Sequence, residues 1–149
     1  MREILFRGFN ENKKEKEKAF YGGKWHKGVW VEGCYFMAKD NIYNILHCIS
    51  EIKGEKIFKV IPETVGQYTG LEDKNGTKIF EGDIIRDTTD NELLVVEGTT
   101  AFGFYFKYVT EPDGYVTAFD LGISEDDTYL TSCIIVGNIH SNPEILEVE

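Results

Sequence analysis

The sequence lacks long hydrophobic runs: across its 149 residues the apolar stretches, such as residues 133–136, are only a few residues long. A membrane-spanning helix needs about 20 consecutive apolar residues. The N-terminus also lacks the charged start and apolar core of a signal peptide. We therefore expect a cytoplasmic protein that makes no contact with a membrane.

Cysteine pairs are missing as well. Cys34, Cys48 and Cys133 are odd in number and widely spaced, and no C-x-x-C pair occurs. This spacing indicates neither a disulfide framework nor a zinc ribbon. His47 is adjacent to Cys48, so on a strand their side chains would point to opposite faces rather than share a metal. We expect free buried thiols, no metal site and no cofactor.

The sequence contains no G-x-S-x-G, P-loop, G-x-G-x-x-G or H-E-x-x-H motif, so no common enzyme class is indicated. Two carboxylates, Glu81 and Asp83, fall on one face of a predicted strand, where they could share a proton. A hydrolase that uses them is one interpretation. A solvent-facing pair beside a hairpin is the other.

Positive charge is scarce in the second part of the chain. Residues 1–60 hold 12 lysines and arginines against 8 acidic residues, whereas residues 61–149 hold 4 against 18, which together give the net charge of -10. Opposite charges can attract one another within a chain, join chains head to tail or steer charged partners. They can also serve only to keep the protein in solution.

Alternating apolar and polar residues, rich in aromatic and β-branched types, dominate the chain and predict an all-β fold. In the first part the predicted strands are residues 2–9, 19–25 and 28–37, with a turn near His26-Lys27. In residues 40–53 the apolar spacing also fits a short helix. The residues there are also β-favouring and fit a strand that turns at residues 53–55 and returns through 56–61 as a hairpin.

The second part predicts short strands at residues 65–71, 78–85, 92–97, 101–108, 115–120 and 133–139, with Asn75-Gly76 as a strong hairpin signal. Several short strands of this kind suggest a small SH3-like barrel. Pro62 marks a break, close to the change of charge sign. We therefore predict a basic N-terminal β lobe, residues 1–61, and an acidic SH3-like lobe, residues 62–149.

Three segments carry a resemblance to a known family. Residues 60–85, VIPETVGQYTGLEDKNGTKIFEGDII, look like the central signature of the YopX family of phage and prophage proteins. The opening MREILFRGFNENKK and residues 136–146, VGNIHSNPEIL, are similar to its two ends, although Gly8-Phe9 and His140 depart from the common residues. The resemblance favours the strand over the helix at residues 40–53, and it implies a phage or prophage accessory protein in the bacterial host cytoplasm. It carries no catalytic assignment, because the family's biochemical role is uncharacterised.

Most of the signature is explained by turns and bends, but some of its polar residues are not. Glu63, Gln67 and Tyr68 are the residues that folding explains least. Together with Glu81 and Asp83 they form our predicted partner-binding set.

The leading hypothesis is a non-enzymatic protein-binding or regulatory module that forms a homo-oligomer and binds a host or phage protein. One alternative is nucleic-acid binding through the basic half, with Arg2, Arg7, Lys24, Lys27 and Trp25. We do not expect nucleic acid as the partner, because the aromatic run at residues 102–108 lies in the acidic half, which would repel phosphates. The other alternative is the hydrolase.

Overall fold

A computed structural model describes residues 4–39, 44–52, 54, 56–99, 103–111 and 113–147. The chain forms two compact units, Met1–Gln67 and Tyr68–Glu149. Strands dominate both, with one four-residue helix and two 3₁₀ turns among the described residues, which confirms the predicted all-β class. Whether the lobes predicted as residues 1–61 and 62–149 fold independently stays a prediction.

The first unit is an antiparallel sheet around the long strand β3, which is flanked by β1 and β4 and also pairs with β2. Gly66 and Gln67, the first residues of β6 (Gly66–Glu72), pair with the other edge of β1. A small apolar core of Val31, Ile49 and Val60 fills one face. The strands are β1 (Phe6–Glu11), β2 (Glu17–Tyr21), β3 (Lys24–Lys39), β4 (Ile45–Ser50) and β5 (Ile57–Lys59).

The turn between β2 and β3 is at Gly22-Gly23, so the prediction of a turn near His26-Lys27 is wrong. Both glycines have positive φ, +61° and +80°, as a two-residue hairpin turn with a mirror-image backbone requires. Glycine adopts that conformation without steric strain. His26 and Lys27 therefore lie inside β3.

Strand β4 resolves the helix–strand alternative in favour of the strand over Ile45–Ser50. It pairs with β3 on one side and with β5 on the other. The Glu51 N–H donates to the Lys56 carbonyl at 3.1 Å and closes the predicted hairpin. The parts of this prediction at residues 40–43, 53 and 55 lie outside the described residues.

The second unit contains a five-stranded antiparallel sheet in the order β11-β10-β9-β8-β12. Its buried core is Leu71, Ile79, Ile85, Leu94, Val96, Phe106, Leu121, Leu130 and Cys133. The elements are the continuation of β6 (Gly66–Glu72), β7 (Lys78–Phe80), β8 (Asp83–Asp87), β9 (Leu93–Thr99), β10 (Gly103–Tyr108), β11 (Tyr115–Val116), helix α1 (Ala118–Leu121) and β12 (Cys133–Asn138).

The predicted SH3-like barrel is wrong, because the sheet is open over the described residues and has β11 and β12 as its edges. Its edge strand β11 is only two residues long. The predicted strand at residues 115–120 is interrupted by a capping box, in which the Thr117 and Asp120 side chains bind each other's backbone N–H groups. This capping starts α1 where a barrel would need the strand to continue.

The predicted strand at residues 78–85 is two strands, β7 and β8, separated by a tight turn at Glu81-Gly82. Gly82 has a φ of +92°, and the Asp83 carboxylate accepts the Phe80 N–H at 2.8 Å. Glu81 therefore lies in the turn, while Asp83 begins β8. The prediction that both carboxylates lie on one face of a strand is wrong.

The cysteines are free, as predicted, but only Cys48 and Cys133 are buried, whereas Cys34 is exposed. Desolvation, followed by the charges of Asp87, Asp90 and Asp73, raises the pKa of Cys133 to about 12. No helix in the described ranges is long and apolar enough to cross a membrane.

Candidate functional site

The predicted partner-binding set is divided between the two units. Glu63 is exposed in a 3₁₀ turn of the first unit, and Gln67 lies half-buried opposite Phe6. In the second unit Glu81 is half-buried, whereas Tyr68 and Asp83 are buried.

Tyr68 and Asp83 have clear roles in folding. The Tyr68 ring packs on Phe80 with centroids 5.5 Å apart, and the Lys78 ammonium lies 5.9 Å from its centre. Asp83 closes the turn before β8. Neither side chain contributes to an exposed binding surface in this structure.

Asp73 shows how the second unit uses its buried carboxylates. One oxygen accepts the N–H groups of Asn75 and Thr77, both at 2.9 Å, and fixes the hairpin turn around Gly76 (φ +84°). The other oxygen accepts the Ile135 N–H at 3.0 Å and ties that turn to β12. A buried carboxylate satisfied by three backbone donors is a structural group.

In the first unit, Glu11, Tyr21 and His26 form a hydrogen-bonded cluster. The Tyr21 hydroxyl donates to one Glu11 oxygen at 3.1 Å, and His26 Nδ1 lies 3.2 Å from the other. His26 Nε2 lies 3.1 Å from the Tyr21 carbonyl, and the two rings stack in parallel at 3.7 Å. Both imidazole nitrogens face acceptors, so the ring donates both bonds only when it carries two protons.

This cluster has unusual protonation properties. The hydrogen bond between His26 and Glu11 is the main cause of the lowered pKa of Glu11. Burial, then the bond to Glu11 and the charges of Glu11 and Glu63, raise the pKa of Tyr21. The structure thus brings Glu63, a residue of the predicted set, into electrostatic range of the cluster.

A half-open cavity of about 310 Å³ lies beside the cluster and is lined by Asn10, Glu11, Lys13, Lys59 and Ile61. Among the described residues the lining combines two lysines, one asparagine, one glutamate and one isoleucine. Such a mixture suits binding of a small polar group.

The β2–β3 hairpin exposes two aromatic rings. Phe20 and Trp25 are cross-strand partners, 37% and 49% exposed, and their rings meet edge to face at 5.4 Å. The neighbouring pair on the same face is Lys18 and Lys27. Basic aromatic surfaces of this kind bind either proteins or single-stranded nucleic acids.

The second unit exposes a different surface. Residues 108–149 contain nine acidic residues and no lysine or arginine. Within this segment Phe119 is 76% exposed and Tyr115 is 67% exposed. An acidic surface that presents large aromatic rings is a candidate protein interface.

Phe119 lies on the one-turn helix α1, whose start is held by hydrogen bonds between Thr117 and Asp120. The Asp120 carboxylate accepts the Thr117 N–H at 2.9 Å and the Thr117 hydroxyl at 3.0 Å. These bonds, the backbone one first, lower the pKa of Asp120, so it stays charged beside Phe119 at neutral pH. In the next loop, bonds from the Thr128 and Ser124 hydroxyls lower the pKa of Asp126.

Within the described ranges no group of three or more His, Cys, Asp or Glu residues could hold a metal ion. The acidic loop at residues 124–128 is organised by its own hydroxyl groups: Ser124 and Thr128 both donate to Asp126, at 2.8 and 2.7 Å.

Two features were missed from the sequence. Placing the turn at Gly22-Gly23 would have put Tyr21 opposite Lys24 and near His26. The pattern Thr117-x-x-Asp120 is a capping signal that predicts a helix start just before Phe119.

Comparison with known proteins identifies the lineage. A family model described as YopX protein matches residues 5–147. The crystal structure of protein EF1440 from Enterococcus faecalis is similar over 99% of this chain and 100% of that chain, with 20% sequence identity and a TM-score of 0.47. No curated protein matches the chain.

Proposed function

The chain belongs to the YopX family, and we propose that it is a non-enzymatic protein-binding module, an accessory protein of a phage or prophage, whose acidic second unit binds a basic partner protein. The observation that carries this proposal is the highly exposed Phe119 ring, in a segment of 42 residues, 108–149, without lysine or arginine.

Charge supplies the attraction. Residues 68–149 hold 4 lysines and arginines against 17 acidic residues, whereas residues 1–67 hold 12 against 9. A surface of one sign attracts and orients a partner of the opposite sign before contact. The partner that fits is a protein with a lysine- or arginine-rich face, such as a host nucleic-acid-binding protein.

Aromatic rings supply the contact energy. Exposed rings that become buried at the centre of an interface contribute most of its binding free energy. Phe119 has this character because its one-turn helix is held by the Thr117–Asp120 capping box, so little order must be gained on binding.

The positions of Glu81 and Asp83 near the signature hairpin support a role in folding better than a role in hydrolysis. Asp83 accepts a backbone N–H, and Glu81 belongs to the preceding turn. Catalysis by two carboxylates needs both to converge on one substrate.

Affinity capture from lysogenic or phage-infected cells tests the proposal. The full chain, Phe119→Ser and Trp25→Ser are compared at low salt, with bound proteins identified by mass spectrometry. We expect a basic protein that the full chain and Trp25→Ser retain and that Phe119→Ser loses at least about tenfold. Equal capture by both variants, or no captured protein, would overturn the proposal.

We further propose a homo-oligomer, supported by the opposite net charges of the two units. Light scattering of the purified chain over a salt series tests it. A monomer at every ionic strength would remove this part of the proposal.

A second candidate function is binding of single-stranded nucleic acid, favoured by the Phe20–Trp25 ring pair beside Lys18 and Lys27. A mobility-shift assay at low salt, with single- and double-stranded DNA and RNA, tests it. Here Trp25→Ser should abolish the shift and Phe119→Ser should leave it unchanged. No shift at micromolar protein would exclude this function.

A further inference from the structure

We propose that the first unit carries an oxyanion-binding site: the cavity between β1, the turn that follows it and the end of β5 binds one carboxylate or phosphate group through Lys13 and Lys59. The site lies in the basic unit and is independent of the acidic surface to which we assign partner binding.

The cavity wall is held by hydrogen bonds on both sides. The Asn10 side-chain amide donates to the Lys59 carbonyl at 2.7 Å and fixes the end of β5 beside β1. The Ile61 N–H donates to the Phe9 carbonyl at 3.0 Å. These bonds place Lys59 and Ile61 without help from a ligand.

Lys13 stands on an ordered turn. The Asn12 N–H donates to the Lys27 carbonyl at 2.9 Å, and the Asn12 side-chain oxygen accepts the Lys14 N–H at 3.0 Å. The turn at Asn12 therefore fixes the backbone of Lys13 at the cavity. A fixed backbone lowers the entropic cost of binding.

The balance of charge at the cavity is positive. Among the described lining residues Glu11 alone carries a carboxylate, and both of its oxygens are already engaged, by Tyr21 and by His26. Over the described part of the chain, neither Lys13 nor Lys59 has an acidic group within ion-pair distance. Two lysines therefore line the cavity beside a carboxylate that is already hydrogen-bonded.

The size of the cavity restricts the ligand. A volume of about 310 Å³ is at the lower end for small-molecule sites, which span roughly 300–1,000 Å³. It admits one compact group. Lysine acts as a point charge with rotatable donors, so it binds carboxylate and phosphate oxygens alike.

The test is an NMR titration of the ¹⁵N-labelled full chain with inorganic phosphate and, separately, with acetate, while chloride keeps ionic strength constant. We expect saturable shifts of the Asn10, Lys13, Lys59 and Ile61 amides. The variant Lys13→Gln/Lys59→Gln should weaken binding at least about tenfold. The matched control Lys14→Gln/Lys56→Gln removes the same charge from exposed positions outside the cavity and should bind normally.

Two results would overturn the site. One is the absence of saturable shifts with either anion. The other is equal weakening by the two double variants, which would indicate only a general response to net charge. Neither result bears on partner capture through Phe119, so the two proposals fail separately.

The oxyanion could be free in solution or belong to the acidic unit of a second copy, and light scattering distinguishes these sources. If phosphate and Lys13→Gln/Lys59→Gln both dissociate an oligomer, the cavity binds a carboxylate of the second copy. If phosphate binds without changing the oligomer, the ligand is a free anion.

Discussion

The two units place their carboxylates differently. In the second unit Asp73, Asp83 and Asp87 are buried, and each accepts backbone N–H groups in or beside a turn. In the first unit Glu11 is exposed and is bound by the side chains of Tyr21 and His26. Carboxylates therefore build the turns of the second unit, whereas in the first unit a carboxylate joins a side-chain cluster beside a cavity.

The glycines show a second difference. In the first unit a Cβ on Gly28 would lie 2.0 Å from the Asn10 carbonyl oxygen, and one on Gly33 would lie 2.0 Å from the Ser50 carbonyl oxygen. In the second unit a Cβ on Gly98 would meet the end of the Glu81 side chain at 2.6 Å, which can move. The first unit thus depends on close approach of its strands.

The largest expected effect is that of Asp73→Ala in the second unit. Three backbone N–H groups lose their acceptor, so we expect the free energy of unfolding to fall by about 3 kcal/mol. Both tryptophans, Trp25 and Trp30, lie in the first unit, so in urea their fluorescence follows that unit while circular dichroism follows both. We expect a shift in circular dichroism and an unchanged fluorescence transition.

Asp113→Ala is the matched control, because that carboxylate is exposed and its removal should change stability by less than about 0.5 kcal/mol. If Asp73→Ala shifts both signals together, the units unfold as one, which would contradict independent lobes.

Gly28→Ala should have the next largest effect, a loss of about 2 kcal/mol, since β1 and β3 must move apart to admit the methyl group. Tryptophan fluorescence in urea measures it. Gly98→Ala is the comparison in the second unit and should cost less than about 1 kcal/mol, because the groups that must shift are side chains, the end of Glu81 and the Phe104 ring at 3.2 Å. Equal losses would show that close strand approach does not distinguish the units.

The sequence predicted the positions of several strands correctly, but it did not predict how the strands are arranged in the sheets. Alternation and the Asn75-Gly76 pair located β6, β9, β10 and β12 closely, because these signals are local. Sheet closure is decided by pairing between distant strands, so the open edges at β11 and β12 had no local signal.

The candidate sites were less predictable than the strands. Glu11, Tyr21 and His26 come from three strands. Gly22-Gly23 sets the register of β2 with β3, and the separate pairing of β1 with β3 brings Glu11 to them. Of the predicted set, Tyr68 and Asp83 proved to be part of the fold. A polar residue that local turns do not explain can still be needed for long-range packing, as the Tyr68–Phe80 contact shows.

The smallest expected effect is that of Glu11→Gln. The hydrogen bond to His26 holds the pKa of Glu11 below its ordinary value of 4.5 in the folded chain. Its contribution to stability is therefore complete above pH 4.5 and is lost as the pH falls through the folded-state pKa. Because the side chain is 46% exposed, we expect a loss of only about 0.5 kcal/mol at neutral pH.

That loss should disappear as the pH falls through the folded-state pKa of Glu11, which lies below 4.5. Urea titrations at several pH values, followed by tryptophan fluorescence, measure it. Glu15→Gln, at an exposed position of the same unit, is the control. A difference between Glu11→Gln and the unsubstituted chain that stays constant with pH would contradict the assigned interaction.

The central claim is that the acidic second unit recruits a basic partner, and the association rate of the chain with its captured protein tests it most directly. We predict a rate constant that falls at least about tenfold between roughly 20 and 500 mM salt. The charge reversal Asp113→Lys/Glu125→Lys should reduce the association rate constant more than the first-unit control Glu15→Lys/Glu17→Lys does. A rate constant that is independent of salt, or reduced equally by both charge reversals, would contradict the claim.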